Sequence, residues 1–183
     1  MSQNLPDNLT VKLNPTSKFG EFPKSKEFSD VELIIGEKSF HLHRIILASQ
    51  SGFFKALFSA HWNNKGLLEP ITLNEEFLGS DIIEDLFKSM YSNEIVLTPE
   101  NVHSLCLASH FLQMDALLQA IQKYWRKRLT LDNAFGFFKL SFQLGLSSLK
   151  KYCLIFISKN SIRMIEKPHI EELSYEDVVD ILK

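Results

Sequence analysis

Cysteine is scarce. Two in 183 residues, Cys106 and Cys153, cannot make a disulfide framework, and both fall in apolar helical patterns. A reducing intracellular setting follows, cytoplasmic or nuclear. An excess of one charge is also missing. Twenty Lys and Arg stand against 22 Asp and Glu, for a formal net charge of −2. The chain as a whole has no attraction to nucleic acid or to an anionic membrane. Long apolar runs are absent too. The richest, Tyr152–Ile157, is far too short to cross a bilayer, and the first residues lack the apolar centre of a secretory signal. A soluble protein is expected, with neither nucleic acid nor membrane among its partners. No nucleophile elbow and no glycine-rich phosphate loop occurs. The adjacent carboxylates Glu75-Glu76, Glu84-Asp85 and Glu171-Glu172 diverge on any one element, so they form no acid/base pair. No enzyme, catalytic residue or cofactor is expected.

What is present is material for a core. Hydrophobic residues make up 45% of the chain, enough to exclude a disordered one, and fifteen phenylalanines against two tryptophans favour dry packing. The organising stretch is 28–59. Val31, Leu33 and Ile35 alternate with Glu32 and Ile34, as in a strand with one buried face. Gly36-Glu37-Lys38 turns the chain, and Ser39 to Leu42 reads as the returning strand. From His43 the spacing becomes helical. Two short helices are predicted, with Ser49-Gln50-Ser51-Gly52 as the turn between them.

Three motifs share one register here: Ser29-Asp30-Val31, Phe40-His41-Leu42-His43-Arg44, and Leu47-Ala48-Ser49-Gln50-Ser51-Gly52-Phe53-Phe54-Lys55-Ala56-Leu57-Phe58. Together they resemble the start of the BTB/POZ domain, whose pattern runs S-D-V, then F-x-[AV]-H-[KR], then L-A-x-x-S-x-[YF]-F-x-x-[ML]-F. Further on, Ala108-Ser-His-Phe-Leu-Gln-Met114 is similar to the family's A-x-x-[FY]-L-Q-[MI].

The rest of the chain fits around this stretch. Leu9, Val11 and Leu13 alternate and could form an extra strand within the polar extension 1–27. In dimeric members of the family, the resemblance implies, such a segment exchanges between partners. Leu67–Leu73 reads as extended. Ile82, Ile83, Leu86, Phe87, Met90 and Tyr91 give an amphipathic helix capped at Ser80 or Asp81 and broken by Ser92-Asn93, with a short strand at Glu94–Leu97. Thr98-Pro99 starts the next helix, faced by Leu105, Ala108 and Leu112. Leu117, Ile121, Tyr124 and Leu129 carry another. Asp132 is expected to cap a helix faced by Phe135, Phe138 and Phe142, which Gly145 ends. Ser147 opens a helix faced by Leu149, Cys153, Phe156 and Ile157, and Ser174 with Asp177 starts a last one, Tyr175–Leu182. This helical tail, through Asn133-Ala134 and Gly145-Leu146, resembles part of the BACK region of kelch-type adaptors. No kelch repeat is expected after it.

Competing chemistry is weak. His103, Cys106 and His110 recur along one helix at metal-ligand spacing, but core packing explains Cys106 and no fourth ligand is near; no metal is expected. Lys123, Arg126, Lys127 and Arg128 are the strongest basic run, which a helix C-terminus favours through its dipole. The expected core includes Phe54, Leu57, Phe58, Leu86, Phe87, Leu105 and Leu112.

The expected fold class is α+β: a small mixed sheet with helical hairpins over 28–129, then an all-α BACK-like tail over 130–183. The resemblance implies a protein-interaction and oligomerisation module, a substrate adaptor of a cullin-RING ubiquitin ligase. The alternative is a transcriptional or cytoskeletal dimerisation scaffold with no ubiquitin role. Partners would be a second copy, a cullin scaffold and a substrate protein the sequence does not name. By the same resemblance Asp30, His43 and Arg44 belong to a charged pocket near the dimer centre. The cullin groove would use Leu57, Phe58, Trp62, Asn64 and Tyr91. Its φ-x-[DE] motif reads Trp62-Asn63-Asn64 here, so the apolar anchor is kept and the carboxylate is lost.

Overall fold

The computed structural model describes residues 8–13, 26, 28–61, 69–74, 78–79, 82–164 and 179. The chain divides into two compact units, residues 1–121 and 122–183.

In the first unit, β2 (Val31–Ile35) and β3 (Lys38–Leu42) form an antiparallel hairpin, with Val31 opposite Leu42 and Leu33 opposite Phe40. Val31, Leu33 and Ile35 are buried while Glu32 and Ile34 are half-buried, as the period of two requires. Strand β4 (Ile71–Leu73) lies parallel to the other edge of β2. A separate two-stranded sheet pairs β1 (Leu9–Lys12) with β5 (Glu94–Leu97), antiparallel, Leu9 opposite Leu97. The alternating extension therefore is a strand, and here it pairs within its own chain. Leu13 continues it by donating its N–H to the Asn93 carbonyl at 2.8 Å.

Helices α1 (Arg44–Gln50) and α2 (Gly52–His61) are separated by Ser51 alone. The expected four-residue turn is corrected: Ser49 and Gln50 end α1 and Gly52 begins α2. One residue suffices because Ser51 is held on both sides. Its hydroxyl donates to the Leu112 carbonyl at 2.5 Å and accepts the Phe54 N–H at 3.2 Å, an N-cap for α2.

Helix α3 (Ile83–Ser92) buries Ile83, Leu86, Phe87, Met90 and Tyr91, each worth about 1.5–3 kcal/mol of transfer free energy for a fully buried large apolar side chain. The cap expected at Ser80 or Asp81 falls outside the described residues. The Gly79 carbonyl accepts the N–H groups of Ile82 and Ile83. Asn93 ends the helix in the left-handed region at φ 59°. Helix α4 (Val102–Phe111) is entered through a turn that Thr98 and Asn101 close reciprocally. The Thr98 hydroxyl accepts the Asn101 N–H, and the Asn101 side-chain oxygen accepts the Thr98 N–H. The cap expected at Thr98 is corrected: Asn101 is the N-cap residue, and Pro99 to Asn101 form a turn ahead of the helix. Of the predicted core, Phe54, Phe58, Leu86, Phe87, Leu105 and Leu112 are buried, but Leu57 is half-buried. The reason is helical phase: Phe54 and Phe58, four apart, define the inward line of α2 and leave Leu57 at its margin.

Helix α5 (Asp115–Lys127) runs across the division between the units. Leu129 lies beyond its end and is half-buried, so it is not one of its core positions. The second unit is built on a hairpin of α6 (Ala134–Gln143) and α7 (Ser147–Lys159), followed by α8 (Ser161–Met164). Asp132 does not cap α6. Asn133 holds the N-cap position, and its Oδ1 accepts the Thr130 N–H at 2.8 Å. Phe135, Phe138 and Ser141 are the buried line of α6, and Phe142 is 55% exposed rather than core. The Ser141 hydroxyl can be buried because it donates to the Phe138 carbonyl. Gly145, at φ 63°, ends α6 as expected: left-handed backbone there lets Leu146 N–H reach the Ser141 carbonyl at 2.7 Å. Leu149, Cys153 and Ile157 are the buried face of α7, with Phe156 half-buried beside them. The last predicted helix lies outside the described residues except for Val179.

Candidate protein-interaction site

The site is built at the head of α1. Asp30 stands just before β2, and its N–H donates to Leu42 at the end of β3. That fixes its carboxylate against the start of the helix, where Oδ1 accepts the Arg44 N–H at 2.7 Å. A carboxylate at a helix N-terminus is favoured by the dipole and satisfies an orphan donor. The Arg44 Nε in return donates to the Asp30 carbonyl at 3.1 Å, and its guanidinium lies 5.3 Å from the centre of the Phe58 ring. Arg44 is thereby buried although charged.

His43 precedes the helix in extended conformation, and its side chain makes no capping hydrogen bond. Its Nδ1 is 2.9 Å from the Tyr91 hydroxyl, which also accepts the His43 N–H. Tyr91 is buried, and burial pushes its phenol up to about 12; the nearby Asp30 charge acts in the same direction. Phe58 stacks on Phe54 with ring centres 5.6 Å apart. The structure thus brings Asp30, His43, Arg44, Phe58 and Tyr91 into one cluster beneath α1. Leu57 stands half-buried on α2. Trp62 and Asn64 lie outside the described residues. Tyr91 supplies support for α1 and no exposed surface.

What the cluster presents outward is Ile45, 74% exposed between buried Arg44 and Ile46, with Ala48 one turn on. Asp30, Arg44, Ile45, Ala48, Lys55 and Phe58 line a shallow cleft of about 350 Å³. Sequence reasoning missed Lys55 and did not single out Ile45 within its helix. Three successive apolar residues, Ile45-Ile46-Leu47, do not reveal which one faces out. The i, i+3 pairing of Ile45 with the small Ala48 was the available signal.

Other candidates separate. Cys106 is buried, with burial pushing its thiol up to about 12, while His103 and His110 are exposed. Among the described residues no group of three His, Cys, Asp or Glu could hold a metal ion. Nor is any helix among them long and apolar enough to cross a membrane.

A BTB/POZ domain family model matches residues 19–129, more than half of the chain. The chain belongs to the BTB/POZ domain family. The family is a protein-interaction module, and its α+β fold is the one described above. This BTB/POZ chain is 25% identical over 166 residues to Germ cell-less protein-like 1 of Mus musculus, covering 89% of this chain and 32% of that protein. It is 26% identical to Kelch repeat and BTB domain-containing protein 1 of Cowpox virus (strain GRI-90 / Grishak), covering 88% and 28%. Kelch-like protein 38 of Mus musculus is 28% identical, covering 82% and 26%. The chain therefore spans about a third or less of the length of these curated relatives. Among solved structures, the BTB domain of zebrafish PATZ1 is similar at 27% identity and a TM-score of 0.47, covering 55% of this chain and 77% of that one.

Proposed function

We propose that this BTB/POZ chain self-associates through the outer face of α1 and works in the cytoplasm or nucleus as an adaptor, joining a target protein to the cullin scaffold of a ubiquitin ligase. The observation that carries the reading is Ile45. An isoleucine 74% exposed on a helix whose start is anchored by Asp30, His43 and Tyr91 is a rigid apolar contact. Such a face is commonly covered by a second copy. Residues 130–183 are read, by resemblance, as a partial BACK-like region.

The adaptor role rests on the BTB/POZ family and on Trp62, an apolar anchor of the kind that makes interface hot spots. The same segment favours the second reading, a dimerisation scaffold with no ubiquitin role. Asn64 stands where cullin-binding members carry a carboxylate, and loses about 1 kcal/mol of charge-assisted hydrogen bonding. Sedimentation equilibrium tests self-association: a dimer at micromolar concentration is expected, and Ile45→Glu with Ala48→Glu should return it to monomer. Calorimetry with a purified cullin tests the adaptor role. Weak binding is expected, lost in Trp62→Ala and strengthened in Asn64→Glu. No binding by the wild type or by Asn64→Glu leaves the scaffold reading.

A further inference from the structure

Charge is unevenly spread along the chain. Residues 122–164 carry nine Lys and Arg and a single carboxylate, Asp132, a net of +8. Residues 1–121 carry nine Lys and Arg and fifteen carboxylates, a net of −6. Apolar surface gathers in the same basic stretch. Of the seven large apolar side chains left exposed among the described residues, Phe142, Tyr152, Ile155 and Ile162 lie there. A single exposed apolar residue is ordinary, but a strip bordered by one sign of charge is a docking surface in form.

Helix α7 sets the strip in order. Its inner line, Leu149, Cys153 and Ile157, is buried, and the Leu149 N–H donates to Gln122 Oε1 of α5 at 3.1 Å. On the opposite side Lys151, Ile155 and Lys159 follow at steps of four, with Tyr152 beside them, and all four are exposed. Lys151 and Lys159 are therefore about 12 Å apart along the helix, one on each side of Ile155. Their apolar stems widen the strip that Ile155 begins. The Arg126 guanidinium lies over the Tyr152 ring at 4.3 Å, which holds a third cation at the same edge.

The complement of such a strip is a peptide with apolar residues at its centre and carboxylates on both sides. Nucleic acid fits less well. The exposed rings Tyr152 and Phe142 already lie against Arg126 and Lys150, at 4.3 and 4.7 Å, instead of standing clear as platforms for bases. A long polyanion would also meet the repulsion of residues 1–121, whereas a short acidic peptide meets only the strip. A second copy fits less well still, because the same face on both partners would set cation against cation.

We propose that the outer side of α7 docks an acidic, apolar-centred peptide segment of another protein. Ile155 and Tyr152 take its apolar residues, and Lys151, Lys159 and Arg126 take its carboxylates. Charge speeds the encounter and fixes the register, while the apolar strip slows dissociation. The inference is independent of the α1 surface and of cullin binding.

Fluorescence anisotropy on the full chain tests it. The probe is a labelled peptide about fifteen residues long, with Leu at i, i+3, i+4 and i+7 and Glu on the flanks. Saturable binding is expected at low salt, weakening roughly tenfold or more near 1 M salt, where the screening length is about 3 Å. Replacing the peptide's Leu by Ser, or its Glu by Gln, should each cost about tenfold or more. Lys151→Glu with Lys159→Glu, both at exposed positions, should abolish binding, and a peptide with Lys in place of Glu should bind that variant instead. Ile155→Ser should weaken binding several-fold and leave its salt dependence unchanged. Thermal melts establish that each variant is folded. Absence of binding by the wild type overturns the proposal, and so does equal binding of the Ser peptide, which would reduce the face to bare charge. Tighter binding of a single-stranded RNA oligonucleotide at the same salt would assign the face to nucleic acid. Self-association abolished by the same charge reversal would assign it to a second copy, and either result overturns the peptide site.

Discussion

The Tyr91 hydroxyl lies 2.9 Å from His43 Nδ1 and accepts the His43 backbone N–H at 3.1 Å. One phenol on α3 therefore satisfies two groups at the threshold of α1. Tyr91→Phe should cost about 1–3 kcal/mol at pH 7 by leaving both without a partner. The phenol's folded-state value of about 12 lies above its ordinary value near 10. Its contribution is thus complete below pH 10 and lost as pH rises to 12. Denaturant titrations of both proteins should show the wild-type advantage shrinking across that window. A constant difference from pH 9 to 12 would contradict the assignment.

Gly52 stands where an added side chain would crowd Gln113. A Cβ there would lie 2.8 Å from Gln113 Oε1 and 3.1 Å from Gln113 Cβ, and Gly52 N–H donates to the Gln113 carbonyl. Gln113 itself is left-handed at φ 52°. Gly52→Ala should destabilise by about 1–3 kcal/mol. Gln113→Gly should stabilise by up to about 1 kcal/mol, and in the double variant it should recover most of the Gly52→Ala loss. Strict additivity of the two in a denaturant titration would refute the contact.

Phe58→Ala and Leu105→Ala should each cost about 3 kcal/mol or more through lost transfer energy and a residual cavity. Leu57→Ala should cost less than half as much, since Leu57 is only half-buried. Equal losses at Leu57 and Phe58 would mean that the phase of α2 is wrong.

Burial pushes the thiols of Cys106 and Cys153 up to about 12. At pH 8 neither should react with a thiol reagent in the native protein, and both should react at once in denaturant. Native reactivity of either would place it outside the core described.

Most elements were legible because their patterns are local. The strand of Val31, Leu33 and Ile35, the six-position helix face ending at Tyr91, and the Gly145 stop of α6 all depend on periods of two or 3.6 and on residues within one turn. Errors came where a distant element decides. Ser51 can separate two helices alone because Leu112, 61 positions on, takes its hydroxyl. Phe142 looks like core by spacing, yet the neighbouring Ser141 can be buried by returning its hydroxyl to its own helix.

The interaction cluster divides along the same line. The sequence brought Asp30, His43 and Arg44 forward as candidates, because they sit in a dense family register, and set Phe58 and Tyr91 beside them. Tertiary structure decided what they do. Phe58 and Tyr91, drawn from the far ends of two other helices, converge on Arg44 and His43 and are consumed in holding α1. Ile45, unremarkable in a run of three apolar residues, is the one left facing out. Periodicity assigns a residue to a stripe, but which stripe is covered depends on where β2, α2 and α3 lie around α1, and no local pattern carries that information.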